Sequence, residues 1–324
     1  MKIVKFISSE IFRMIILIIS ISILSFFLIT SAPIDPLTSY VGSENSLSQE
    51  AKNEISEYWG LNEKKQVRFF KWAKNALNGD LGVSITYKKS VSKVLIERFS
   101  NSFFLMFISW FLSAILGLVL GIKSAMNEGG IIDKFIRLMC FFTKSSPPFW
   151  IAILILMVFS VKLGLFPLGM ATPLGKLQED VTFLDRFYHL VLPSLSLILV
   201  SFGDIALFTR EKYIEIINSD YILYAKSRGE SKGEIVKRHV LRNILIPFIT
   251  ITFSSFGELF GGTALIESVF SYPGIGTATV SSALNADVPL LIAISIFSAI
   301  FVFCGNLTAD ILYLFVDPSI KKVF

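Results

Sequence analysis

Three ionisable residues stand in runs that are otherwise apolar: Lys144, Asp204 and Glu258. A charge in a hydrocarbon-seeking segment is costly, so such residues face a cavity or one another. A lysine ammonium there can hold a carboxylate or a chelated anion. It can equally serve a structural ion pair with Asp204 or Glu258, and at this point both readings stand. Lys144 immediately precedes SSPPFW, so Pro148 and Phe149 fall beside it at a break in the helix pattern. Glu267 and Pro273, in LIESVFSYPGIG, mark a stiff corner expected to act as an outer gate or contact site, with simple loop geometry as the rival reading. Bond-making chemistry has no comparable support. The chain has no HExxH, no GxSxG and no two intramembrane Asp on facing helices, and no GxxxxGK followed by Ser or Thr to cradle phosphate. Two cysteines, Cys140 and Cys304, lie in apolar runs without CxxC spacing, and two histidines are too few for a His-based metal cage. No catalytic, cofactor-binding or metal-binding residues are expected.

The other chemically loaded stretch is DYILYAKSRGESKGEIVKRHVLRNILIP, Asp220 to Pro247. It carries nine charged side chains, six of them basic, in a chain that is only 17% charged. Asp220 is placed to cap a helix through YILYAKSR, and Gly229 to stop it. Tyr221, Tyr224 and Ala225 then share one side, a face suited to insertion into a groove on a partner. A second helix is expected from about Glu234 to Asn243, with Pro247 admitting the next span.

The elements that must position these groups follow from composition. Of 324 residues, 53% are hydrophobic and 31 are Phe. About 20 apolar residues cross a bilayer as a helix, and six such segments are predicted: 14–32, 102–122, an irregular third from Asp133 to Val161 interrupted at SSPPFW, 189–209, 244–266 and 288–309. In the second, Gly117 and Gly121 have the small-xxx-small spacing that lets helices approach closely. Asp287 is a candidate N-cap of the sixth. Basic residues favour the cytoplasmic side. The N-terminal segment, the 2–3 loop, the 4–5 loop with eight Lys and Arg, and the tail with Lys321 and Lys322 carry them, whereas the 5–6 loop carries none. Both termini are therefore expected in the cytoplasm. The net charge of +5 is explained by orientation and gives no reason to invoke nucleic acid. Residues 34–100 are mixed in charge and read as a small extracytoplasmic domain with two short amphipathic helices ending in a Gly-rich turn. The expected organisation is 1–33, 34–100, a core of 101–316 with its cytoplasmic loop at 210–243, and a tail of 317–324. The fold class is all-α membrane protein.

The 4–5 segment resembles the cytoplasmic "EAA" loop of ABC-importer permeases, in the variant of the dipeptide, oligopeptide and nickel class, roughly DYIxxARAKGxxxxxxxxRHxLRNxxxP. Asp220, Tyr221, Ile222, Ala225, Lys226, Arg228, Gly229, Arg238, His239, Leu241, Arg242, Asn243 and Pro247 stand in matching places. Lys226 and Arg228 exchange the usual Arg and Lys, and Glu230 replaces a usual hydrophobic residue. NGDLGVS resembles the GDLGxS signature of the B-type subunit's outer domain. SSPPFW, LIESVFSYPGIG and ADILYLFVDPSIK resemble further motifs of the family, in the same order along the chain.

The resemblance implies a type I importer fold with six spans. It implies a second, related permease forming a heterodimer, two cytoplasmic ATPases that bind the ATP and Mg, an extracytoplasmic substrate-binding protein, and a bacterial cytoplasmic membrane around the multi-pass chain. ATP would close the ATPases against a coupling helix at Asp220–Arg228, with Tyr221, Tyr224 and Ala225 as contacts, while Arg238, His239 and Arg242 fix the second helix. Short peptides are the expected substrate. Nickel or a metal–chelator complex is the alternative, and a secondary transporter the distant one, because only one broken span is evident and no inverted repeat.

Overall fold

The computed structural model describes residues 2–31 and 63–316, apart from the side chains of residues 2–7, 178, 232, 246, 254–260, 309, 310 and 312–316. The described chain is helical: α1 (Lys2–Ser31), α2 (Lys65–Leu77), α3 (Val91–Met126), α4 (Ile131–Ser145), α5 (Pro148–Ile155), α6 (Phe183–Ile217), α7 (Asp220–Ser227), α8 (Lys232–Ile235), α9 (Leu241–Val269), α10 (Ile275–Leu284) and α11 (Val288–Val316). The tail from 317 and the first of the two outer amphipathic helices fall outside the described residues; α2 is the second.

Among the described residues four helical segments are long and apolar enough to cross a membrane: Ser8–Ser31, Val91–Met126, Phe183–Ile217 and Val288–Thr308. They become five if α4 and the segment Pro148–Lys162 count as one broken span. This is fewer than the six expected. α9 covers the expected fifth span as one helix of 29 residues, but the side chains at its middle are among those not described. The third segment also differs from expectation. Its halves meet at 109°, which is a turn rather than a kink. Successive prolines explain it: the residue before a proline is driven out of the helical region, and here Ser146 (ψ 137°) and Pro147 (ψ 135°) are both extended. The helix stops at Ser145 and restarts at Pro148, where a proline costs no hydrogen bond.

The chain divides into two compact units. The first contains residues 1–102 and 273–304. Here Phe26 of α1, with Val288 and Ile292 of α11, forms a core against Phe69 and Trp72 of α2. Phe99 packs edge-on against Phe297 and Phe301. The NGDLGVS stretch is a tight loop, with Gly79 at φ +86° and Gly82 at φ +88°, closed by an antiparallel bridge between Val83 and Ser90. Ser84 is buried and donates its hydroxyl to Asp287 (2.5 Å), which also accepts the Thr86 N–H (2.9 Å). The same carboxylate accepts the Leu290 N–H at 3.3 Å, capping α11 as expected. Beyond the corner expected from the sequence, the 5–6 loop contains the ten-residue α10.

The second unit contains residues 103–272 and 305–324. α6 runs through it and packs on α3, α4, α5 and α9. A Cβ at Gly117 would lie 2.7 Å from the Ile205 side chain, and one at Gly121 only 2.5 Å from the Ala206 carbonyl oxygen. Both glycines are therefore required by the close approach of α3 to α6. Beside this seam Ile136 and Cys140 of α4 pack on Phe202 and Ala206. Asp133, in the first turn of α4, is fully buried. It receives both arms of Arg210 (2.7 and 2.9 Å), the Ser124 hydroxyl (2.6 Å) and the Gly129 N–H (2.9 Å). One carboxylate thus joins the end of α3, the following turn, α4 and α6. The sequence marks Asp133 only as a helix start and Arg210 only as an orienting charge.

Candidate functional site

The polar segment after α6 folds back onto the second unit. α6 is extended well beyond its apolar stretch and ends at Ile217, and α7 begins after a two-residue turn. The N-cap of α7 is Ser219, not Asp220, which is exposed in the first turn with its charge near the positive helix end. Ile222 and Ala225 point inward, onto a core of Ala125, Tyr213, Ile235, Val240 and Ile244. The outward residues are Tyr221, Leu223 and Tyr224, with Leu223 66% and Tyr224 65% exposed. The structure thus places Ala225 in the protein's own core and adds Leu223 to the presented face. The sequence pattern counts the face from Tyr221 and gives no sign of the anchoring role of Ile222.

Gly229 ends α7 at φ +83°, and a Cβ there would meet nothing within 4 Å. Backbone conformation, not space, calls for glycine. Next comes a capping box. Ser231 donates N–H and hydroxyl to Glu234 (2.9 and 2.7 Å), and the Glu234 N–H returns to the Ser231 hydroxyl at 3.4 Å. These bonds hold the Glu234 carboxyl below its ordinary value. The signal was in the sequence as SKGE. The second helix begins at Lys232, passes through a wider π turn at Val236–Val240, and continues into α9 without a break. Pro247 lies inside α9 and not at a boundary. Lys226, Arg228, Arg238 and Arg242 are exposed; Arg238 adds an attraction for Glu234. His239 sets its Nε2–H on Glu230 at 3.0 Å, and Asn243 donates to the His239 carbonyl (2.8 Å) and the Tyr221 hydroxyl (3.3 Å).

The second feature is a cavity of about 720 Å³ walled by α4, α5, α6 and α9. Lys144 and Asp204 form an ion pair in its wall, each side chain about half exposed. Pro148, Ser201, Glu211 and Gly262 also line it. Phe149 is exposed but does not contribute to the wall. Lys144 is thus paired with Asp204 and also borders an open space. The Glu258 side chain lies outside the described residues.

At the SYPGIG corner Glu267 is fully buried, as is Tyr272. Burial first, and the Glu267 charge second, push the Tyr272 phenol well above its ordinary value. Ser271 takes φ +48°, and the Phe270 carbonyl accepts the Met170 N–H at 2.8 Å. A Cβ at Gly169 would lie 2.0 Å from that same oxygen. The loop after α5 is thereby clasped to the corner, with the His189 Nδ1–H on the Gly169 carbonyl at 2.7 Å. Pro273, half-buried, offers its carbonyl to the Asn101 amide at 2.9 Å.

Against this geometry the comparisons are specific. The family model for the inner membrane component of binding-protein-dependent transport systems matches residues 113–322. The chain is 35% identical over 306 residues to the oligopeptide transport system permease protein AppB of Bacillus subtilis, covering 94% of this chain and 95% of that one. It is 30% identical over 302 residues to the glutathione transport system permease protein GsiC of Escherichia coli O6:H1, covering 93% and 94% respectively. A chain in the inward-facing MetNI methionine ABC transporter superposes with TM-score 0.56 at 15% identity, over 70% of this chain and 97% of that one; the likeness is one of fold.

Proposed function

The chain belongs to the binding-protein-dependent transport system inner membrane components, and we propose that it is the permease subunit through which such a system imports short peptides. It is a multi-pass, all-helical protein of the inner membrane and not itself an ATPase. Membership implies ATPase and binding-protein partners. The peptide class comes from the oligopeptide permease it resembles over nearly its full length. In this reading α9 is the remaining span, giving six with both termini in the cytoplasm. A second, related permease completes the pathway, and two ATPases dock on the loop containing α7.

The observation that carries the reading is the construction of α7. Ile222 and Ala225 anchor it in the core while Tyr221, Leu223 and Tyr224 are offered outward. A helix held stiffly from behind and apolar in front can receive force from a partner and pass it inward. Gentle purification of the chain from its native membrane, with every co-purifying chain identified by mass, tests this directly. A second multi-span permease and P-loop ATPases are expected; a chain that purifies alone, folded and active, overturns it.

The cavity at Lys144 and Asp204 is the corresponding stretch of the path. A peptide carries a carboxylate and an ammonium, and the exposed ion pair offers one partner for each. Lys144→Ala is expected to lower peptide uptake about tenfold at equal membrane abundance, the scale of one charge-assisted hydrogen bond. Uptake equal to wild type would remove Lys144 from the path.

A further inference from the structure

Glu230 is where the loop departs from the pattern it otherwise follows, and the structure gives the departure a role. It is the residue after Gly229, its N–H returns to the Ala225 carbonyl at 3.3 Å, and its side chain is only 20% exposed. The carboxylate accepts the Nε2–H of His239 at 3.0 Å, and His239 is itself two-thirds buried. The His239 ring lies edge-on to Tyr221, centroids 6.5 Å apart. Asn243, one turn further along the same helix, donates to the Tyr221 hydroxyl at 3.3 Å.

These contacts bracket α7. Tyr221 belongs to its first turn, and Glu230 follows its last. Both meet His239 or Asn243, residues four apart and so on one face of the next helix. A rod fixed at both ends to one face has its tilt and its position set. A hydrophobic residue at 230 would hold that end by contact alone, which tolerates sliding; a carboxylate on an imidazole N–H is directional.

We propose that Glu230 is a positioning residue for energy coupling: acting through His239, it sets the angle of α7 and thereby how much peptide moves per ATP hydrolysed. This rests on the reading of α7 as the ATPase-docking helix. The test uses the whole complex in proteoliposomes. Uptake of trialanine, or of glutathione if that is what the wild type accumulates, is measured together with ATP hydrolysis.

Glu230→Gln is expected to leave ATPase co-purification and hydrolysis near wild type while uptake per ATP falls about fivefold, the coupling expected of one such pair. His239→Gln does the same, and the double variant is no worse than either. The exchanged pair, Glu230→His with His239→Glu, restores at least half of the loss. A merely structural role would lower hydrolysis and uptake together and would not be rescued by exchange. Unchanged uptake per ATP in Glu230→Gln, or an additive double variant, overturns the proposal. Should Glu230→Gln fail to fold, Glu230→Leu decides, because full uptake per ATP with an apolar side chain there also overturns it. A Tyr224→Arg chain that still binds its ATPases and transports normally would instead defeat the docking-helix reading, and the proposal with it.

Discussion

Asp133→Ala is expected to cost about 3–5 kcal/mol of folding stability, the range for breaking a buried ion pair from one side. Four donors converge on this carboxylate from α6, α3 and the turn before α4. Removing it leaves Arg210, whose side chain is only 15% exposed, as a largely buried charge without its two-armed partner. The Ser124 hydroxyl and the Gly129 N–H lose their acceptor at the same time. Arg210→Lys is the informative companion. It keeps the charge but surrenders the two-armed geometry, so its loss should be a fraction of the first. The thermal midpoint of the detergent-solubilised complex reads both. Midpoints equal to wild type would mean that α3, α4 and α6 are held by their apolar seams alone.

Leu223→Asp should behave in the opposite way, sparing the fold and stopping transport. Leu223 is 66% exposed, and surface substitutions usually stay within about 0.5 kcal/mol. Its thermal midpoint should therefore match wild type. On the proposed reading of α7 as the docking helix, uptake should fall about 30-fold or more, because an acid at the centre of its apolar face removes a contact on the scale of a hot spot. Ala225→Asp gives the contrast. Ala225 is 4% exposed in the core beneath, so an acid there should lower the midpoint before any assay of uptake is possible. Normal transport by Leu223→Asp would mean that force enters the chain elsewhere than at α7.

The sequence made the apolar runs, the α7–Gly229 boundary and the close seam at Gly117 and Gly121 legible, because each rests on local chemistry: hydropathy, a left-handed glycine, a small-residue spacing. What it did not reveal was direction. Ala225 shares a helical stripe with Tyr221 and Tyr224, yet Ile222 and Ala225 turn inward because the hydrophobic ground beneath them comes from other elements, Ala125 of α3, Tyr213 of α6 and Val240 of the π turn. The 109° turn at SSPPFW was visible as a break but not as a reversal, since the angle depends on two consecutive extended residues. Pro247, expected to admit the fifth span, lies inside a helix that is already continuous before it. A proline stops a helix only when nothing else supports it, and α9 is carried through by packing on its neighbours. Lys144 and Asp204 were recognised as costly charges; that they share one cavity wall needed the fold.

Asp287 has a consequence of a different kind. One carboxylate closes the first turn of α11 and holds the loop of Ser84 and Thr86. The two engagements are linked, and linkage runs both ways by thermodynamic necessity. Only the coupling between them is shared: an event that frees Asp287 from the loop weakens the cap of α11 by that coupling energy, and fraying of the first turn of α11 loosens the loop by the same coupling. The small GDLGVS segment is therefore a gauge as well as a clasp, since its local stability responds to the state of the helix end it holds.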